Sequence, residues 1–403
     1  MDQIPGPWVR AARGAGLLGA DGQLRPSIFA EMTALAVSTG AVNLGQGFPD
    51  YDGPSEVLEA ARRAIADGVN QYPPGTGMPV LREAIARHQQ RFYGHTVDPA
   101  REVLVTAGAT EAIAATLLAL LEPGDEIVML EPFYDSYVAL AALAEARVVT
   151  VPLQGPTFAP DLDRIRDAIT DRTRIILLNS PHNPTGMVLD RTALELIVER
   201  AIHHDAVIVS DEVYEHLLFD TAHVPIATIP GAAERTVTIS SGGKTFSTTG
   251  WKIGWLIAPP PLRDAILAVK QFLTFVNGAP FQPAIAAGLD LPDSYFADVA
   301  QTLARRCGML SAGLRSVGFE VAEPQAGYFV VADPAPLGFP DAVEFCRMLP
   351  ERAGVVAIPL TAFVMPEHIA TYRPLVRFAF CKRDEVLEDA LRRLGELKPS
   401  ASQ

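Results

Sequence analysis

The sequence predicts an α/β protein: a large lobe with a mostly parallel sheet flanked by helices, followed by a smaller α+β lobe. Three observations lead there. The chain has 403 residues, more than one hydrophobic core usually serves. From about Glu102 to Pro259, a short apolar run, a polar turn and a helical stretch recur in that order, the pattern of strands joined by crossover helices. The last third changes to short strands set between longer helices.

The predicted strands of the large lobe are Val103–Thr106, Glu126–Leu130, Arg147–Val151, Arg174–Asn179, Ala206–Ser210, Thr236–Ile239 and Ile253–Ala258. Runs as apolar as Ile175-Ile176-Leu177-Leu178 suit strands covered on both faces. Thr110–Leu121 and Arg191–His204 carry helical periodicity between them. Pro259–Pro261 and Pro280–Pro283 bracket a helical stretch between the lobes. The smaller lobe is predicted to hold a helix over Tyr295–Val317, strands at Tyr328–Ala332 and Val376–Phe380, and a last helix from Asp384 to about Leu397. Residues 1–26, rich in Gly, Pro and Ala, read as an arm. The expected division is 1–50 for the arm and part of the small domain, 51–288 for the large domain and 289–403 for the small C-terminal domain.

Composition narrows the function. Apolar residues make up 49% and charged residues 20%, as in ordinary globular proteins. A net charge of −14 argues against a nucleic-acid surface. No segment has the length of a membrane span or of a secretory signal. Cys307, Cys346 and Cys381 show no metal-ligand spacing, so free thiols, a reducing cytoplasm and no metal site are expected.

Ligands of open α/β sheets bind beyond the carboxyl ends of the strands, and the residues there form a coherent set. Ala107-Gly108-Ala109-Thr110 opens a helix whose amino end favours phosphate. Tyr134 follows the next strand and can stack on a flat ring. Asn179 and Asn183 flank the turn Ser180-Pro181-His182, with His182 read as structural or solvent-facing. Asp211 follows a buried run, where a carboxylate needs a cation, and Tyr214 lies three residues on. Ser241-Gly242-Gly243-Lys244 ends another strand; a lysine there suits a Schiff base to an aldehyde cofactor. Ser241 and Lys252 are expected to bind its phosphate.

Asn183-Pro184-Thr185-Gly186, Asp211 with Tyr214, Ser241-Gly242-Gly243-Lys244, and Arg377 in Val376-Arg377-Phe378 together resemble the class I/II aminotransferases of the pyridoxal-phosphate fold type I. The resemblance runs from about Phe29 to the last helix. Asn43–Pro49 and Asn70-Gln71-Tyr72 are similar to the kynurenine, glutamine and methionine aminotransferase subgroup. Glu131–Tyr137 and Gly278–Pro283 look most like a bacterial succinyldiaminopimelate aminotransferase branch of the lysine pathway. Asn277 and Gly278 depart from the aromatic–histidine pair of kynurenine-type enzymes, which implies a longer, more polar pocket.

The resemblance implies pyridoxal 5′-phosphate as cofactor, with Lys244 as its Schiff-base lysine and the acid–base of proton transfer. Asp211 would keep the ring nitrogen protonated, Asn183 and Tyr214 would hold the ring oxygen, and Tyr134 would stack on the ring. Gly108, Ala109, Thr110, Ser241 and Lys252 would hold the phosphate. Arg377, with Asn179 and the Gly45 backbone, would bind the substrate carboxylate. A homodimer is implied, with Tyr72 reaching the neighbouring subunit's phosphate, and the arm at Ile28 and Phe29 would close over the substrate. Three other readings are weighed: a kynurenine, methionine or glutamine aminotransferase, a cysteine-S-conjugate β-lyase using the same cofactor, and a non-enzymatic regulator of this fold. The last is disfavoured by the complete Lys244, Asp211 and Arg377 set.

Overall fold

In the computed structural model, which describes residues 6–19 and 21–397, the seven apolar runs of the large lobe all become strands of one sheet. They are β1 (Val103–Ala107), β2 (Glu126–Glu131), β3 (Arg147–Pro152), β4 (Thr173–Asn179), β5 (Val207–Asp211), β6 (Thr236–Ser241) and β7 (Ile253–Ile257). Their spatial order is β1-β7-β6-β5-β4-β2-β3. Neighbours from β6 to β3 run parallel. Only β7 is antiparallel to both of its neighbours. The link from Ser241 to Ile253 is too short for the dozen or more residues of a parallel crossover, so the chain turns back and β7 enters reversed. Gly254 makes that insertion possible: a Cβ there would lie 2.5 Å from the Gly108 carbonyl carbon and 2.7 Å from the Ala109 nitrogen.

Both faces of the sheet are covered. Ile127, Met129, Ile175, Leu177, Val207 and Val209 pack on one side with the helix Gly108–Leu120. Val128, Leu130, Ile176, Leu178 and Ile208 face the other, against the helix Arg191–His203. Asp190 starts that helix by accepting the Ala193 N–H at 2.8 Å, a cap for an otherwise unpaired donor.

The C-terminal lobe holds a four-stranded antiparallel sheet of β8 (Glu320–Val321), β9 (Phe329–Asp333), β10 (Ile358–Pro359) and β11 (Val376–Ala379), in the order β10-β11-β9-β8. The helices Asp293–Val317, Ala342–Ala353 and Asp384–Leu394 accompany it. Arg377 pairs with Val331 on one side and Ile358 on the other, so it sits mid-sheet. The N-terminal segment joins this lobe through Val42–Asn43, which pairs in parallel with Val355–Val356. The predicted arm contains a helix, Trp8–Gly14, packed on the helix Asp135–Leu143. Cys307, Cys346 and Cys381 are buried free thiols. No described helix is long and apolar enough to cross a membrane.

Candidate active site

The carboxyl ends of β1, β4, β5 and β6 meet at one cleft of about 210 Å³. It is lined by Gly108, Ala109, Thr110, Tyr134, Asn179, Asn183, Asp211, Tyr214, Ser241, Lys244 and Lys252, residues spread over more than 140 positions of sequence. An adjoining hollow shares Tyr134, Asn183, Tyr214 and Lys244 and adds Phe29, Asp135, Phe329 and Arg377.

Lys244 lies on the short helix Gly242–Thr245 directly after β6. Its amine donates to the Gly47 carbonyl at 3.0 Å and lies 5.7 and 5.4 Å from the Tyr214 and Tyr328 rings. Burial, with a further push from the Arg377 cation, brings its pKa down to about 8. A neutral amine near neutral pH is the form that attacks an aldehyde. The Tyr328 hydroxyl donates to the Lys244 carbonyl at 2.6 Å and holds this turn.

Asp211 ends β5 only 5% exposed. Burial pushes its pKa up to about 6, against the Tyr137 hydroxyl and the Val213 N–H, which donate to it at 2.6 and 3.3 Å. Such a carboxylate is satisfied best by a cation in the cleft. Asn179 braces this end of the sheet. Its amide donates to the Asp211 carbonyl at 2.9 Å and its oxygen accepts the Asn183 N–H at 2.7 Å.

At the far end the helix Gly108–Leu120 presents its amino terminus. Gly108 has φ +74°, and a Cβ there would stand 3.1 Å from Lys252 Nζ. The glycine leaves room for a lysine amine and a ligand beside exposed backbone N–H groups. Lys252 itself has φ +54°, its amine lies 3.5 Å from Thr110 Oγ1, and Asn277 holds its carbonyl at 3.0 Å. Small residues, a helix amino end and an ammonium group form an anion cradle. With the Asp211 carboxylate at one end, this cradle at the other and the Lys244 amine between, the residues fit pyridoxal phosphate.

Arg377 is 3% exposed. Its Nη1 donates to Asn183 Oδ1 at 3.0 Å and its Nη2 to the Gly45 carbonyl at 2.9 Å. The guanidinium carbon lies 3.9 Å from the Phe329 ring centre, 4.5 Å from Phe363 and 5.6 Å from Phe29. Burial lowers its pKa to about 10, so it stays cationic, and its Nε has no partner. A buried guanidinium bonded to neutral acceptors is poised for a carboxylate.

Several predicted residues lie elsewhere or act differently. The Gly45 N–H is spent on Asn43 at 3.0 Å, so Gly45 holds Arg377 through its carbonyl. Asn179 likewise spends its amide on backbone. Tyr72 is 83% exposed; it edges onto Phe275 and lines a separate hollow with Asn277 and Gly278. That pair therefore does not line the Arg377 hollow of this chain. His182 is buried against Thr185 at 2.7 Å, and burial lowers its pKa to about 4, a structural histidine. Tyr137, Asp135, Tyr328, Phe329 and Phe363 were not foreseen. Tyr137 had a signal, one helical turn after Tyr134 at a strand end. Asp135 directly follows Tyr134; Tyr328, Phe329 and Phe363 come from positions distant in sequence.

Comparison with known proteins agrees with this geometry. The family described as aminotransferase class I and II matches residues 39–394. A Mycobacterium tuberculosis protein named as a probable N-succinyldiaminopimelate aminotransferase is 53% identical over 387 residues, covering 93% of this chain and 98% of the relative. The Escherichia coli methionine aminotransferase is 38% identical, covering 93% and 97%. The solved N-succinyldiaminopimelate aminotransferase of Mycobacterium tuberculosis superposes with a TM-score of 0.90 at 54% identity, covering 92% of this chain and 97% of that one. The match spans both lobes and every strand end of the cleft: the chain belongs to the class I and II aminotransferases.

Proposed function

We propose that the protein is a pyridoxal-phosphate-dependent transaminase of N-succinyl-LL-2,6-diaminopimelate, exchanging its amino group with 2-oxoglutarate and glutamate. The reaction class is carried by one observation: the Lys244 amine and the Arg377 fork open onto the same hollow. The substrate rests on the 53% identity to the mycobacterial relative. When bound, the cofactor supplies an aldehyde for the amino group and a ring that accepts electrons. Gly108, Ala109, Thr110, Ser241 and Lys252 would hold its phosphate, Asp211 its ring nitrogen, and Asn183 and Tyr214 its ring oxygen.

The protein's own groups do the rest. Arg377 binds the α-carboxylate with two parallel donors, which turns the α-hydrogen toward Lys244. Lys244, depressed toward neutrality by burial, removes and returns that proton. Phe29, Phe329 and Phe363 shut water away from the guanidinium, where a charge pair gains strength. Asp211⁻, steadied by Tyr137, offsets positive charge at the back of the cleft. The exposed Tyr72, Phe272, Leu273 and Phe275 support a homodimer with Tyr72 turned to the partner's phosphate.

Single-turnover rates with N-succinyl-LL-2,6-diaminopimelate, methionine, glutamine and kynurenine test the substrate. The succinylated donor is expected to exceed methionine in kcat/KM by at least about tenfold, about 1.4 kcal/mol of discrimination. A preference for methionine or kynurenine would reject the substrate and leave the transaminase. Release of pyruvate from a cysteine conjugate without an amino acceptor would favour the β-lyase.

A further inference from the structure

Behind the strand that ends in Asp211 lies a second buried polar cluster that the transamination site does not use. His88 comes from the helix Pro79–Tyr93, and Glu215 and His216 from the turn after β5. One ligand atom from each lies within 4.8 Å of the other two. The two imidazoles approach Nε2 to Nε2 at 2.6 Å. Phe92 and Phe296 wall the cluster, with ring centres 4.7 and 4.3 Å from that of His216.

Its polar atoms are not balanced. Glu215 is 4% exposed. Its Oε1 accepts the Ser240 hydroxyl at 2.5 Å and the Tyr93 hydroxyl lies beside the carboxylate, while His88 Nδ1 has no partner. A buried carboxylate normally requires a cation or a full set of donors. Arg91, the cation beside the two histidines, is turned to Asp293 and to the Phe92 and Phe296 rings. The other histidine, His223, is engaged with Glu212 at 2.8 Å.

We propose that His88, His216 and Glu215 form a binding site for a divalent first-row transition metal of the zinc type. Two imidazole nitrogens and one carboxylate oxygen are three of the four ligands such an ion takes. Calcium and magnesium prefer oxygen-only shells. The ion would take the place of the direct Nε2–Nε2 contact between the two rings. The ion gives the Glu215 carboxylate its cation. It also ties the helix Pro79–Tyr93 to the turn that follows Asp211 and contains Tyr214, so its part is to stiffen the wall of the cleft.

The test uses cofactor-loaded enzyme stripped with EDTA, incubated with Zn²⁺ or Mg²⁺, and desalted. Zinc is expected in equimolar amount with the chain, with a rise in the unfolding temperature that Mg²⁺ does not reproduce. His88→Gln, His216→Gln and Glu215→Gln should each lose the bound zinc and the thermal shift. His204→Gln, which changes a histidine paired with Asp171 on another surface, should keep both. Should the cluster variants fail to fold, Co²⁺ added to the wild-type holoenzyme decides. Visible bands of a histidine-bound, four-coordinate ion support the site, and their absence overturns it. Wild-type enzyme without retained zinc, or folded cluster variants that retain it undiminished, overturns the proposal as well.

Discussion

Replacing Tyr137 by Phe removes one oxygen from a wall that touches no substrate, and its effect can be worked out from the structure. The Tyr137 hydroxyl donates to Asp211 Oδ2 at 2.6 Å where both residues are buried, 2% and 5% exposed. A hydrogen bond to a charged group in such a place is worth about 1.5–3 kcal/mol, or about 1–2 pKa units. The bond favours the ionised carboxylate, so losing it raises a pKa that burial has already brought to about 6. The sign follows: Asp211⁻ is the working form, a higher pKa depletes it from the acidic side, and raising the pH restores it. In Tyr137→Phe the acidic limb of the rate profile should move up by about 1–2 units. Single-turnover rates measured across that range are the assay. Asp211→Asn is the control. It removes the charge at every pH, so its loss, about 3 kcal/mol or more of electrostatic stabilisation, should not recover on raising the pH. A Tyr137→Phe profile with its acidic limb unmoved would refute the link between this bond and the charge on Asp211.

Arg377→Lys keeps the charge but not the two-pronged fork, and it leaves Asn183 and the Gly45 carbonyl short of donors; KM for the amino donor should rise with a loss of about 1.5–3 kcal/mol, and an unchanged KM would remove Arg377 from carboxylate binding. In cofactor-free protein, the rate of recombination with pyridoxal phosphate should climb through about pH 8 and level off, because burial has lowered the Lys244 pKa to that point; a rate that inflects only near the ordinary lysine value would show Lys244 to be unperturbed. Sedimentation of the active enzyme should give twice the chain mass, and an active monomer would exclude both the homodimer and the role of Tyr72 across it.

Much of this protein was legible in its sequence because parallel strands buried on both faces must be continuous apolar runs. Ile175–Leu178 or Val207–Val209 can hardly be anything else, and the polar residue that ends each run is bound to emerge at one edge of the sheet. For this reason Lys244, Asp211, Asn183, Tyr214 and the Gly108–Thr110 turn stand out as a set in the sequence alone. Periodicity is local, however, and carries no information on which strands lie side by side. The order β1-β7-β6-β5-β4-β2-β3 and the reversal of β7 depend on the short return from Ser241 and on the space Gly254 leaves against Gly108. The same limit applies to the far walls of the cleft. Arg377 reaches Asn183 and Gly45 across separations of 194 and 332 residues, and His88 meets His216 across 128. Sequence determined which side chains stand at strand ends, since burial of a run dictates where it must stop. Tertiary packing alone decided their partners: which amide Asn179 spends on backbone, which carboxylate Tyr137 steadies, and that Asn277 holds Lys252 instead of facing the Arg377 hollow, because such contacts arise only when elements far apart in the chain are pressed together.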